Sequence, residues 1–342
     1  MDHSVTPAKK NSIKISVIIP VRNEEASIGI LLESLLTQTL MPAEIVITDG
    51  GSTDATPQII SEFGERGAPI HLIRQPATLP GRGRNLAAAQ AVNEWLAFID
   101  AGVEPETNWL ERLVATAQDA DGVDVDVVYG TYEPVVDTLF KRCVAIATVT
   151  PPQKFAGQMI RSGSIVSSLM KRTVWEKVGG FPEDLRSAED LLFMKKIEQG
   201  HFHIANAPDA LVRWQVQATP WLTFKRFMTY ARHNMRAGLW RNWQAAIFKY
   251  YGLLLLSALP VFQFGVRWLL VTVGLWVLLL VARAMVAIWR NRACYRGDTA
   301  ENVLRLLVLV PLLAMLDAAT IVGTLQWAVN DKMRLSETLP AA

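Results

Sequence analysis

Cysteine is scarce: Cys143 and Cys294 are the only two in a chain of 342 residues. They stand far apart, which argues against a disulfide framework and fits a reducing compartment. Net charge is small as well, +2 from 34 basic and 32 acidic residues, so a nucleic-acid binder driven by overall charge is not expected. Phosphate loops are missing. The first strand-like run leads into Pro20-Val21-Arg22-Asn23-Glu24-Glu25, where no G-x-G-x-x-G opens the next helix, and no G-x-x-x-x-G-K-[ST] occurs. Dehydrogenase and P-loop readings therefore fall. The first residues carry charge with no apolar stretch behind it, so no signal peptide is expected. Repeats and low-complexity stretches are absent too.

What the chain does have is alternation. Ile15–Ile19, Glu44–Thr48, Ile70–Ile73, Trp95–Ile99 and Asp124–Tyr129 read as strands. Between them, Ile28–Leu36, the segment after Thr53-Asp54, Arg84–Glu94 and Trp109–Gln118 read as helices. Strands separated by helices predict βαβ units and a parallel sheet covered on both faces. From Gly130 to Trp214 the pattern loosens, with a helix over Leu191–Gln199 and a strand around His201–Ala205, and it completes the same domain.

Apolar residues make up 51% of the chain and mean hydropathy is +0.21, with the excess beyond Tyr250. Tyr250–Phe264, Trp268–Trp289 and Val303–Val329 approach or exceed the ~20 apolar residues a spanning helix needs. Basic stretches at Lys225–Lys249 and Arg290–Arg296 flank them, and the positive-inside rule puts the N-terminal domain in the cytosol. Arg283 and Asp317 inside these runs are costly unless paired, so a mutual ion pair or a lipid-headgroup contact is expected. Trp221–Trp243 mixes six aromatic rings with basic residues, which suits a helix lying at the headgroup level; an ordinary amphipathic helix packed on the domain is the alternative.

Two carboxylates carry the chemistry. Asp49 and Asp100 each end an apolar strand, where an open α/β sheet binds its ligands. Such a group can hold a metal or a nucleotide base. Asp49 and Asp54 also suit a turn and a helix cap. Ser187-Ala188-Glu189-Asp190 has a capping-box pattern, with Ser187 as cap and Asp190 reaching back. His201 and His203 lack a third ligand and read as packing or surface residues.

PVRNEE, DGGSTDAT, GRGRNLAAA, FIDAG and GGFPEDLRSAEDLLF occur in the order seen in family 2 glycosyltransferases, which have the GT-A fold. The resemblance covers about Ile13–Trp214. It implies that Pro20, Arg22, Asn23, Glu24, Asp49 and Arg84 bind the nucleotide-sugar, with Asp49 on the base. It implies that Asp100 holds a divalent metal, magnesium or manganese, and that Asp190 is the catalytic base, with Glu189 next in line. Two acids of the family pattern are glycines here, Gly50 and Gly102. A magnesium-type ion keeps several waters and takes one or two carboxylates plus phosphate oxygens, so Asp100 alone suffices and Glu104 reads as a solvated loop charge. Arg213-Trp214 partly matches the Q-x-x-R-W motif of processive members without its glutamine. Arg161, Ser162 and Trp214 are the acceptor-side candidates.

These readings give an α/β GT-A fold followed by C-terminal transmembrane helices. The expected divisions are a tail at 1–12, a transferase domain at 13–216, an interfacial linker at 217–249, a membrane domain at 250–330 and a tail at 331–342. The expected activity moves a sugar from a nucleoside-diphosphate sugar, with inversion, to a lipid, lipid-linked or polysaccharide acceptor at the cytosolic membrane face. The expected partners are that donor, that acceptor and the inner membrane, with no nucleic acid. A non-catalytic nucleotide-sugar sensor or assembly scaffold is the alternative.

Overall fold

The computed structural model describes residues 13–118, 124–155, 158–161 and 163–332. The expected N-terminal tail lies outside the described residues, as does the C-terminal tail beyond Lys332. The chain begins with β1 (Ile15–Val21), α1 (Ile28–Leu36), β2 (Glu44–Asp49), α2 (Thr56–Glu65), β3 (Ile70–Arg74), α3 (Pro80–Gln90), β4 (Trp95–Phe98), β5 (Val103–Pro105) and α4 (Trp109–Gln118). It continues with β6 (Val127–Val135), α5 (Leu139–Thr148), the paired β7 (Gln153–Phe155) and β8 (Gln158–Ile160), β9 (Ser168–Lys171), α6 (Arg172–Lys177), α7 (Glu189–Gln199) and β10 (Ile204–Gln215). Eight strands form one sheet in the order β3-β2-β1-β4-β9-β6-β10-β5. The first four are parallel, β9 runs against both β4 and β6, and β5 runs against β10.

Both faces of this sheet are covered, which explains the near-continuous apolar strands. Ile15, Val17 and Ile19 of β1 pack with Leu31 and Leu32 of α1, Ile60 of α2 and Trp109 of α4. Ile18 points the other way, toward Ala87 and Ala88 of α3, Val174 of α6 and Phe193 of α7. In the buried core the Trp109 indole donates to Ser167 Oγ at 2.9 Å, and that hydroxyl donates to the Ala210 carbonyl at 3.1 Å.

Several elements differ from the sequence expectation: the strands expected at Asp124–Tyr129 and around His201–Ala205 run Val127–Val135 and Ile204–Gln215, and three further differences have a local reason. Pro20 does not stop β1, which runs on to Val21. Ile15 and Val21 carbonyls accept bonds on the β2 side, while the Ile18 carbonyl accepts from Ile99 on the β4 side. Pro20 shares the Ile18 side, and β4 has ended by then, so its missing N–H leaves no ladder bond unmade. Helix α3 starts at Pro80, four residues before the expected Arg84, because Pro80 occupies the first helical position and Gly81 and Gly83 lie inside the helix. The capping box at Ser187 does not form. Ala188 sits at φ 71°, the helix opens at Glu189, and the Asp190 carboxylate accepts from the Leu191 N–H at 2.8 Å instead.

Beyond the sheet come α8 (Pro220–Arg236), α9 (Gln244–Ala258), α10 (Val261–Phe264), α11 (Trp268–Arg290) and α12 (Thr299–Gln326). Among the described residues, three helical stretches are long and apolar enough to cross a membrane: Gln244–Phe264, Trp268–Arg290 and Thr299–Asp331. The first thus starts at Gln244, ahead of the expected Tyr250. Arg283 and Asp317 do pair, Nη1 to Oδ2 at 2.5 Å and Nη2 to Oδ1 at 2.9 Å, with Tyr251 donating to the same Oδ2 at 3.2 Å. This tail is joined to the sheet domain by packing. Cys143, Val144 and Ile146 of α5 share a buried cluster with Leu280 and Ala284 of α11 and Leu309, Leu312 and Leu313 of α12.

Helix α8 is amphipathic but not free-lying. Trp221 and Leu222 are exposed, whereas Thr223, Ala231, His233 and Asn234 are buried. Its closest neighbour is α12. A Cβ at Gly323 would stand 2.1 Å from the Met228 carbonyl oxygen, so the two backbones touch there. Arg232 makes a two-pronged pair with Asp331 at 2.9 Å on both bonds.

Candidate active site

The loops after β1 and β2 lock together at the carboxyl edge of the sheet. Asn23 adopts φ 56°, donates its N–H to Ser52 Oγ at 2.9 Å and accepts the Thr53 N–H at 2.8 Å. The Glu24 N–H donates to Thr56 Oγ1, and its carboxylate accepts the Ser27 hydroxyl at 2.5 Å. Asp49 is buried and accepts both the N–H and the hydroxyl of Ser52, at 2.9 and 2.7 Å, while Arg74 approaches its other oxygen at 3.9 Å. Asp49 therefore organises the turn at the carboxyl end of β2. Asp54 accepts from the Thr56 N–H and hydroxyl and so starts α2.

The glycine at position 50 has a steric reason. A Cβ there would lie 2.7 Å from the Thr78 carbonyl oxygen. Gly81 is tighter still, its added Cβ falling 2.0 Å from the Pro182 carbonyl oxygen, and Gly83 rests on Pro20. Glycine at both positions lets α3 approach β1 on one side and the 180–183 loop on the other. The Asn85 amide holds that loop, accepting from the Phe181 N–H and the Trp175 indole while donating to the Phe181 carbonyl.

Arg84 points inward. Its Nη2 donates to Asp100 Oδ1 at 2.7 Å and its Nη1 to Glu189 Oε1 at 2.8 Å, with the guanidinium 5.3 Å from the centre of the Phe181 ring. It is 4% exposed, so this arginine positions the two carboxylates more than it offers a surface. Those carboxylates push its already high titration point upward against burial. Burial pushes Glu189 up despite Arg84, and Asp190 adds to that; burial likewise pushes Asp190 up despite Arg84. The two acids differ in access. Glu189 is buried with Oε2 unpartnered, whereas Asp190 is half-buried and spends only one oxygen on the Leu191 N–H.

The remaining predicted residues fall as follows. Arg22 is exposed at the rim. Trp214 is the penultimate residue of β10, with its indole N–H buried and unpartnered. Arg161 is buried and donates to the Thr150 carbonyl, and Ser162 lies outside the described residues. Glu104 is exposed opposite Arg213 in the β5–β10 pair, away from Asp100's partners. Sequence reasoning missed Tyr230, whose hydroxyl burial pushes up, with Asp190, Glu189 and Asp100 adding to the effect. It also missed His233, whose Nδ1 accepts the Arg186 N–H at 3.2 Å, three residues before Glu189. Neither carries a local sequence signal, because each acts through a contact made by folding.

Among the described residues no group of three or more His, Cys, Asp or Glu gathers as a metal cage. Asp100 is about one-third exposed at its side chain and uses one oxygen on Arg84. At Gly102 the only neighbour of an added Cβ is Glu24 Oε2, 3.9 Å away, so the space beside Asp100 stays open. This set fits an ion that takes one carboxylate and completes its shell with phosphate oxygens and water.

The sequence profile described as Glycosyl transferase family 2 matches residues 16–172, from the start of β1 to the start of α6. Residues 16–172 thus resemble the family 2 glycosyltransferases in sequence. The chain is 29% identical over 203 residues to the glycosyltransferase AglE of Haloferax volcanii, covering 58% of this chain and 65% of that protein. It is 26% identical over 239 residues to the O-antigen chain rhamnosyltransferase RfbN of Salmonella typhimurium, covering 63% and 70%. Among solved structures, the mannosyltransferase of Pyrobaculum calidifontis, in complex with GDP-Man and Mn²⁺, aligns over 93% of this chain and 88% of its own at a TM-score of 0.54 and 20% identity. That likeness shows the GT-A fold.

Proposed function

We propose that this transferase moves a sugar from a nucleoside-diphosphate sugar to a hydroxyl of a membrane-borne lipid or lipid-linked acceptor, with inversion at the anomeric carbon. The observation that carries the reading is the Arg84 bridge. One buried guanidinium aligns Asp100, on the donor side, with the Glu189-Asp190 helix start, on the acceptor side. Asp190 keeps an oxygen available at the first turn of α7 and takes the acceptor proton as the hydroxyl attacks. Glu189 stays bound to Arg84 and holds the helix start in place. Asp49 and the Asn23–Ser52 lock receive the base and ribose, with Pro20, Arg22 and Glu24 lining the same loop.

Asp100 would hold the divalent cation, whose chemistry is Lewis-acid stabilisation of the departing diphosphate. The likeness to an O-antigen chain rhamnosyltransferase and the three apolar helices support a cell-envelope glycolipid or polysaccharide role. The basic flanks of those helices support a catalytic domain on the cytosolic face of the inner membrane.

Donor-binding calorimetry on the purified chain tests this, with UDP and GDP, with and without Mg²⁺ or Mn²⁺, beside Asp100→Ala. Metal-dependent binding of one nucleotide, lost in the variant, is the expected result. Binding that ignores metal would move the reading to a metal-independent transferase, and no binding at all would remove the function.

A further inference from the structure

A cavity of about 160 Å³ lies between the end of β10, the C-terminal turn of α5 and the inner face of α8. Val144, Val216 and Phe227 give it apolar walls, and Tyr132, Trp214, Arg226 and Tyr230 give it polar ones. The polar lining is rich in donors and contains no carboxylate. The Trp214 indole N–H is buried and unpartnered. Arg226 lies 6.0 Å from the centre of the Trp214 ring and 5.8 Å from that of Tyr230. Ring faces hold a guanidinium without neutralising it.

A second cation stands behind the wall. Arg161 is 6% exposed, sits 5.9 Å from the centre of the Tyr132 ring and donates to the carbonyl of Thr150, which also lines the cavity. Neither arginine makes an ion pair among the described residues. A guanidinium withdrawn from water without a counter-charge is costly; here Arg161 is buried and Arg226 is half-buried at the same hollow. Their shared deficit is an anion with several acceptor oxygens. Tyr230 also lines the hollow, and burial with Asp190, Glu189 and Asp100 pushes its hydroxyl up against the opposing Arg226.

We propose that this cavity binds a phosphate group carried by the acceptor, with Arg226 as its direct partner and Arg161 as the supporting charge. The inference rests on the transferase reading above and adds the acceptor's chemical class. The apolar walls receive the chain next to the phosphate, and the hydroxyl to be glycosylated lies toward Tyr230 and Asp190.

The test titrates the full chain in phosphatidylcholine nanodiscs with decyl phosphate, decanol and inorganic phosphate, and separately with the nucleotide donor. Arg226→Gln should weaken decyl phosphate about tenfold or more, the loss expected for one charge-assisted contact, and leave nucleotide binding intact. Trp214→Phe, which keeps an aromatic face for Arg226 and removes the N–H, should weaken it less. Tighter binding of decyl phosphate than of inorganic phosphate supports a lipid source, and the reverse supports a soluble phosphorylated acceptor. Unchanged decyl phosphate affinity in Arg226→Gln, or decanol binding as well as decyl phosphate, would overturn the proposal. Failure of the wild-type chain to bind nucleotide would sink the transferase reading instead, while the phosphate titration would still judge the cavity.

Discussion

Arg84 and Glu189, separated by 105 residues in sequence, meet at 2.8 Å inside the protein. Each is about 5% exposed at the side chain, so the bond is made out of reach of water. Removing one partner of such a pair leaves an uncompensated charge and costs roughly 3–5 kcal/mol. Arg84→Gln is therefore expected to lower the melting temperature of the detergent-solubilised chain and to reduce turnover together. Full thermal stability in this variant would refute the bridge as described.

The two exposed-side acids should separate cleanly in kinetics. Asp190→Asn should lower kcat by about 10²–10⁴, the range for a lost general base, while nucleotide affinity stays near wild type. Asp100→Ala should abolish turnover through the donor side, whereas Glu104→Ala should leave it nearly unchanged. Equal losses in the Asp100 and Glu104 variants would overturn the ranking of those two groups.

Burial raises the titration of both Glu189 and Asp190, and Arg84 opposes it in each case. The base must be ionised to accept a proton, so kcat/KM should fall on the acid side at a pH above the ordinary carboxylate value of about 4. The pair titrates as a unit, and its acid limb should move to still higher pH in Arg84→Gln. Stability runs the other way. A raised carboxyl favours the protonated folded state, so its contribution is full below pH ~4 and is lost as pH rises through the folded value. An acid limb that stays put in Arg84→Gln would contradict this account.

His233 has the opposite sign. Burial, with Arg236 and Arg232 beside it, holds its imidazole down at about 4. The neutral ring accepts the Arg186 N–H, so this contribution to stability is present above pH ~6.5 and is lost as pH falls from there toward 4. His233→Ala should flatten that part of the pH–stability curve, as followed by thermal unfolding between pH 4 and 7.

Arg283 and Asp317 form the polar centre of the tail. Single changes, Arg283→Met or Asp317→Leu, should each destabilise the chain by roughly 3–5 kcal/mol, and the double change should recover most of the loss. Thermal unfolding of all four proteins in one detergent gives the double-mutant cycle.

Sequence reading reached the sheet well because its signals are local. Val17, Ile18 and Ile19 form an unbroken apolar run, and such a run reads as a buried strand wherever it stands. It placed Asp49 and Asp100 at strand ends for the same reason. It misplaced the start of α3 because Gly81 and Gly83 read as breakers, although the contacts that require them lie at Pro182 and Pro20. The Ser187 capping box failed on the backbone of Ala188, a conformation that an alanine gives no hint of. The Arg84 bridge was illegible because Glu189 comes from 105 residues away, and the Arg226 hollow because the rings and charges of α8 read equally well as a membrane-surface pattern.

The contact at Gly323 has a geometric consequence. With α8 pressed on α12 there, and Arg232 clamped to Asp331 one turn further along, the sheet domain and the apolar helices turn as one solid piece. On the reading of those helices as spans, the catalytic groups are held at one height above the bilayer, like the jaw of a depth gauge. An acceptor is then selected partly by how far its hydroxyl projects from the lipid surface, before any atom of the sugar is recognised.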